Sequence, residues 1–580
     1  MYRFSLYREQ YRQNLRLALP IVLTQVGQIL TQVADNLMVG RYGGDDPTPL
    51  AAVSFGGAVF FILFVAAIGM ALGLTPLVGE LYAQKDRIRS AALLQNGILF
   101  YTLLGLIMAG VQYAVIPLMY HLKQPVEVVE MAIPYYRMLV FSMPFMMLFF
   151  SFKQFLEGVG NTKVEMVVTI LANLANIGFN SVFIYGRFGL PEMGAEGAGL
   201  GTLLSRVLAA ALIIGYFCRH RDYRRYLDGF SHRVLSAEVV RRLVHMGLPI
   251  AMQMFLESSA FVGTGIMMGW FGKETMSANQ IAVTIGNCAF MIVMSIGAAT
   301  TIRVSHCYGA RNIGELSLAA KASYHLVLAW NAFAALVFIT MRNIIPTFFS
   351  TNPEVIAIAS QLLVFAALYQ LSDGIQNVSV GVLRGIQDVK VIMPIALVSY
   401  WLLNLPVGYL LGFTLGMGPT GLYLGFAVGL SSAAVLLIRR IRRSVRDRRL
   451  LPQVARQARP ELLHLPLQNI YTFIQRGEGN LPLLVFRAKC VTHVGHGHFD
   501  LVGVLLFRNA NADYRIALGL ILEIGVHTLM DSALHRFNDP SGNMRILNHK
   551  TCNHEIGLLC LGIALKCSLG LFGSFSFLRL

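Results

Sequence analysis

Twelve apolar stretches of about 20 residues recur between Leu15 and Ile438, and each is long enough to cross a hydrocarbon core of roughly 30 Å as a helix. They are expected near 15–40, 50–78, 92–118, 131–152, 166–185, 196–217, 244–269, 279–302, 319–341, 355–381, 391–413 and 420–438. A chain with 55% hydrophobic and only 13% charged residues lies outside the range of ordinary soluble proteins. The N-terminal stretch lacks a small-residue cleavage site after a short apolar core, so no removable signal peptide is expected. Seven scattered cysteines indicate neither a disulfide framework nor a zinc motif.

The net charge of +17 invites a nucleic-acid reading, but its placement argues against one. With the N-terminus inside, the inner loops up to residue 450 hold 28 Lys and Arg, including the cluster from Arg219 to Arg242 and the run RRIRRSVRDRR at 439–449. The outer loops hold 5: Arg41, Lys123, Arg187, Lys273 and Arg342. That asymmetry is expected when basic loops stay in the cytoplasm. The partners it implies are membrane lipid, with anionic headgroups a secondary contact, and no nucleic acid.

The chain repeats itself at an offset of 226 to 229 residues. ALPIVLTQ (18–25) aligns with GLPIAMQM (247–254), TPLVGELYAQKD (75–86) with TIRVSHCYGARN (301–312), and LEGVGNTKV (156–164) with LRGIQDVKV (383–391). Six spans per unit is an even number, so both units enter the membrane from the same side. The expected fold is an all-α membrane protein of two parallel six-helix lobes with pseudo-twofold symmetry along the membrane normal. The expected organisation is a cytoplasmic N-terminus (1–14), an N-terminal lobe (15–218), a basic cytoplasmic linker (219–243), a C-terminal lobe (244–438), and a basic segment with an unassigned extension (439–580).

Acidic side chains within spans cost roughly 2.5–3.5 kcal/mol each at mid-span on insertion scales, so the three present ask for a reason. Glu257 lies near the middle of its span, Asp35 toward the outer end of the first, and Asp373 in the tenth. Gln25, Gln28, Gln32 and Asp35 follow i, i+3, i+7, i+10 and share one helical face. Gln253, Glu257 and Thr264 do the same on helix 7, Asn173, Asn176 and Asn180 on helix 5, and Tyr369, Asp373, Gln376 and Asn377 crowd one side of helix 10. A lone amide in a span is more often helix–helix glue; four stripes, three with a carboxylate, favour a polar cavity in each lobe. Under the repeat, Glu257 falls opposite Gln28, Asp35 opposite Thr264 and Asp373 opposite Met146, which implies two inequivalent sites. Arg137 and Arg206, the bases within spans, are read as structural, and Pro20, Pro144, Pro249, Pro394 and Pro406 as candidate kinks. The 25 Met and 36 Phe can line an adaptable pocket, though most such side chains face lipid or fill packing gaps.

The Leu-Pro-Ile starts, the Tyr-Gly-Ala-Arg-Asn and Leu-Glu-Gly-Val-Gly-Asn-Thr-Lys loops, the stretch ANIGFNSVFIYGRFGLPEMGAEGAG (175–199) and the Glu257 and Asp373 helices together resemble the multidrug and toxic compound extrusion (MATE) family, NorM-like bacterial branch, over roughly residues 10–450. The resemblance implies a multi-pass protein of the bacterial inner membrane, not an enzyme, that exports organic cations in exchange for sodium or protons. By the same resemblance Glu257, Asp373 and Tyr369 look like the cation site of the C-terminal lobe, with Glu257 and Asp373 the metal ligands if the ion is sodium. Two carboxylates equally suit one shared proton, since close like charges resist ionising together. Asp35, Gln28, Gln32, Asn176 and Asn180 resemble the polar cavity of the N-terminal lobe, although some relatives carry a second carboxylate where this chain has Asn180. No cofactor beyond the coupling ion is expected, and the chain is expected to act as a monomer.

An ATP-driven pump requires a phosphate-cradling G-x-x-x-x-G-K-[ST] loop, and GWFGKET (269–275) has the wrong spacing. HEIGL (554–558) lacks the second ligand of a zinc-protease motif. A lipid-linked saccharide flippase of the same superfamily is the closer alternative; it calls for several basic cavity residues, whereas the cavity charges here are acidic. Beyond about residue 455 no repeat or recognised motif organises the chain, which there holds eight of the 14 His and four of the 7 Cys. THVGHGH (492–498) is weighed as a metal-binding tract, and 556–580 is apolar enough to touch a membrane.

Overall fold

The computed structural model of the chain describes residues 2–44, 46–122, 124–230, 235–446, 483–491, 498–510 and 513–523. Among them are twelve helices long and apolar enough to cross a membrane: α1 (Tyr7–Tyr42), α2 (Thr48–Ala83), α3 (Arg87–Ala114), α4 (Val126–Gly158), α5 (Thr162–Phe183), α6 (Gly194–Arg219), α7 (Ala237–Gly269), α8 (Lys273–Gly309), α9 (Ile313–Thr340), α10 (Pro353–Gly385), α11 (Ile392–Thr414) and α12 (Pro419–Ser444). Every expected span is present. Several run further at the basic end than hydropathy indicates, because a helix continues through polar residues until a cap stops it.

Those stops explain why the internal repeat is visible. Four turns at the basic ends, after α2, α4, α8 and α10, share one geometry. Lys85, Gly160, Arg311 and Gln387 all have positive φ (58°, 84°, 57° and 61°). In each turn the next N–H reaches back five residues: Asp86 to Leu81, Asn161 to Leu156, Asn312 to Cys307 and Asp388 to Leu383, at 2.8–3.0 Å. This is the left-handed helix ending that satisfies the last orphan carbonyls. Asp86, Asn161 and Asn312 then cap the following helix by accepting from the N–H groups of Arg89, Val164 and Glu315. Asp388 is instead taken by Arg440 of α12, at 2.7 and 2.9 Å. The aligned strings QKD, VGN, ARN and IQD are thus one turn written four times.

Within the first half α4 packs against α2, α3 and α6, and α5 lies between α1 and α6. In the second half α8, α9 and α10 pack together and α7 lies against α11. Pro20, Pro144 and Pro249 sit inside continuous helices. The prolines of α11 accompany a larger departure: the span passes through two π-helical stretches, Leu397–Asn404 and Leu410–Thr414. Pro406 has no N–H to give, and widening the turns re-pairs the backbone around it.

The halves meet at their basic ends. A Cβ on Gly69 would lie 2.4 Å from Cα of Ala251, and one on Gly247 would lie 2.5 Å from the Met70 carbonyl oxygen, so α2 and α7 touch backbone to backbone. Arg303 of α8 donates to the Gln10 carbonyl (3.1 Å), Gln10 Oε1 (2.7 Å) and Asn14 Oδ1 (3.0 Å) of α1. Asn14 in turn donates to Ser323 Oγ at 2.9 Å, and His306 bonds the Gly158 carbonyl at 2.7 Å. The side-chain hydrogen bonds described between the halves all fall at this end. The two halves are closed against each other at the basic end.

A separate unit, Ser444–Leu580, contains an antiparallel meander of β1 (Leu483–Val491), β2 (His498–Ala510) and β3 (Asp513–Glu523) in the order β1-β2-β3. No repeat or motif in the sequence predicts regular structure in this stretch. LVGVLLF falls within β2, where apolar residues in a short run suit a strand. Residues 492–497 of the histidine tract and the apolar segment 556–580 lie outside the described residues.

Candidate ion and substrate site

In the second half α7 and α10 bring the two predicted carboxylates together. Glu257 is half-buried; its Oε2 accepts from Gln253 Nε2 one turn earlier at 2.6 Å, and its Oε1 accepts from the Tyr400 hydroxyl of α11 at 2.9 Å. Gln376 of α10 approaches both Glu257 and Tyr400, and its Oε1 is buried without a partner. Asp373 is buried and lies close enough to feel the charge of Glu257. Tyr369 is buried one turn away; its ring packs on Tyr423 and Phe426 at 6.0 and 5.9 Å. Around them stand further buried amides with an unpaired end: Asn331 Oδ1, Gln370 Nε2 and Asn404 Nδ2. Two carboxylates ringed by neutral oxygens can receive a hard monovalent cation or a proton.

The first half is built differently. Asp35 Oδ1 accepts from Asn180 Nδ2 at 2.6 Å, and Asn180 contacts Asn176 Oδ1 at 3.4 Å. Asn176 reaches Thr202 and Ser205 of α6, both at 3.4 Å. Asp35, Asn176 and Asn180 therefore form one network, whereas Gln28 and Gln32 are exposed on α1 and join no hydrogen bond to it. Arg206 donates to Ser142 Oγ at 2.6 Å, lies over Phe60 and Phe64 at 5.1 and 5.5 Å, and acts on Asp35 through space. Its packing role is present, but so is a charge role. Arg137 is exposed.

The MatE family model matches residues 20–182 and again 249–410, two stretches that start 229 residues apart. The chain belongs to the MATE family. It is 32% identical to the multidrug resistance protein NorM of Photobacterium profundum over 441 residues, 75% of this chain and 96% of that one. The Pyrococcus furiosus MOP-superfamily transporter has a similar fold, with a TM-score of 0.69 at 19% identity, covering 75% of this chain and 96% of the other. The Vibrio cholerae MATE transporter VcmN superposes with a TM-score of 0.69 at 17% identity, covering 77% and 99%. This NorM-like MATE protein is accordingly a multi-pass protein of the bacterial inner membrane.

Several buried polar residues of this MATE chain are not evident from its sequence patterns. Tyr400 and Asn404 lie on the π-helical turns of α11, whose polar faces no 3.6-residue stripe would reveal. Arg384, beside a basic-end turn, sends its NH2 group inward to donate to Gln253 Oε1 at 2.9 Å. At the inner end of α4, Lys153 Nζ lies 2.8 Å from Glu165 and 3.7 Å from Glu157, a buried triad. The signal was available in LEGVGNTKVEM, where two acids flank a helix-ending turn and so can converge on one base.

Proposed function

We propose that the protein is a secondary active multidrug efflux antiporter that exports organic cations in exchange for sodium or protons. The observation that carries this reading is the Glu257–Asp373 pair, two carboxylates in one half, the first of which is held by the neutral partners Gln253 and Tyr400. An ion taken up there drives export only if it favours one conformation of the halves over the other, since a ligand shifts an equilibrium by its differential affinity alone. The set of buried amides and hydroxyls supports oxygen ligation of a monovalent ion. Transport, rather than catalysis, is the role carried by its relative's name, a multidrug resistance protein. The lipid-linked saccharide flippase alternative has less support: a pyrophosphate calls for free basic side chains, and both Arg206 and Arg384 are already engaged.

The test is efflux of a fluorescent organic cation such as ethidium from proteoliposomes under an imposed sodium gradient and an imposed proton gradient, each alone. At least one gradient accelerates export in the wild type, and Glu257→Gln and Asp373→Asn insert normally but lose that acceleration by at least about tenfold. Equal efflux with and without either gradient refutes the antiport.

A further inference from the structure

Gln253 is 4% exposed and uses both ends of its amide. Its Oε1 accepts from Arg384 at 2.9 Å while its Nε2 donates to Glu257 Oε2 at 2.6 Å. The amide has one workable orientation, because turning it over would set its NH2 against the guanidinium and its carbonyl against the carboxylate. Arg384 thus reaches from the inner end of α10 to α7 and acts on Glu257 electrostatically as well as through the amide. Its Nε is buried with no partner, so local packing does not by itself account for the position. A buried guanidinium left short of hydrogen bonds is tolerated where a nearby opposite charge offsets its desolvation.

The balance of charge differs between the halves. In the first half one carboxylate, Asp35, faces one guanidinium, Arg206. In the second, Glu257 from α7 faces Arg384 while Asp373 from α10 faces Glu257, with the phenols of Tyr369 and Tyr400 beside them. Two negative charges against one positive charge leave the pocket one charge short.

We infer that Arg384 is a built-in counter-cation of this pocket, holding Glu257 through Gln253 when the site is empty and so setting both the number of coupling ions at one and the affinity for it. The inference rests on the reading of Glu257 and Asp373 as the cation site. Arg384 is a positioning residue, since it reaches the carboxylate through Gln253. Its charge competes with the arriving ion and keeps the site weak enough to empty again. Without that charge the site holds its ion too well.

The experiment uses the full chain in proteoliposomes and reads the half-saturating concentration of the driving cation, sodium at fixed pH or protons without sodium, for ethidium efflux. Arg384→Gln lowers that concentration by about tenfold, the scale of losing one nearby charge, while maximal efflux falls. Arg384→Lys, which keeps the charge, stays within about threefold of wild type. Gln253→Leu cuts the link and moves the value in the same direction by a smaller amount, and it decides the matter if Arg384→Gln does not insert. An unchanged half-saturation in Arg384→Gln and Gln253→Leu, or a Lys variant displaced as far as the Gln variant, overturns the inference. Wild-type gradient drive in Glu257→Gln and Asp373→Asn would instead overturn the cation-site reading, whatever the Arg384 variants do.

Discussion

Arg242 of α7 holds Glu80 of α2 at 2.8 Å, an ion pair that crosses between the two halves at their basic ends. The same Glu80 oxygen accepts from Gln387 Nε2 at 2.7 Å, so the turn after α10 joins the clasp. The arginine side chain is 49% exposed, and such pairs contribute at most about 1 kcal/mol. All of that contribution falls on one conformation, because the pair exists only while the cytoplasmic ends are together. Glu80→Gln should therefore shift the equilibrium toward the cytoplasm-open state by roughly threefold. Ser305, buried against Gly79 in the closed ends, reports this when replaced by cysteine in a background without other reactive thiols. Its labelling from the cytoplasmic side should speed up correspondingly, and an unchanged rate counts against the clasp.

The crossing of α2 and α7 sets a harder limit. No side chain fits at Gly247 while Met70 stays where it is. Gly247→Val should insert but lose most export, with Ser305→Cys labelled far faster than in the parent. Normal efflux would mean that the closed cytoplasmic end is not an obligatory state of the cycle.

Asp35 and the Glu257–Asp373 pair occupy different networks in different halves, so their losses should separate. Asp35→Asn keeps a partner for Asn180 but removes the charge that faces Arg206. Export should fall at least fivefold, while sodium-22 binding or proton release by the purified protein stays within about twofold. In Glu257→Gln both should be lost. Parallel losses in the two variants would show a single shared site.

The unit beyond Arg443 is compact by itself, and the three acids and both repeats lie before it. Truncation after Arg456 should leave insertion and ethidium efflux within about twofold of wild type. A fall in folded yield after truncation would show that the helices depend on that unit.

Cysteines introduced beside Arg225 and Lys273 flank α7 and should be labelled from opposite faces of the membrane. Labelling of both from outside would contradict twelve spans with basic loops inside.

What the sequence by itself determined is local or one-dimensional. Twelve spans were legible because apolar length is a property of consecutive residues, and the sidedness expected from counting charge in the loops is what the cysteine labelling tests. The repeat was legible because a left-handed turn followed by a capping Asp or Asn needs particular residues in a fixed order, as at Lys85–Asp86 and Arg311–Asn312. The stripes carrying Glu257, Asp373 and Asp35 followed from helical period. The partners of those acids depend on distances between helices far apart in the chain. Only the packed fold showed that Asn180 meets Asp35 while Gln28 and Gln32 stay apart, and that Tyr400 reaches Glu257 from a π-helical turn whose period no pattern search assumes. Arg384 illustrates the limit most plainly. Beside a cytoplasmic turn its charge reads as one more inner-side base, because position along the chain says where a Cα lies and not where a long flexible side chain can extend. Its side chain extends to Gln253 of α7, where a low-dielectric surrounding gives its charge far more consequence than it would have in water.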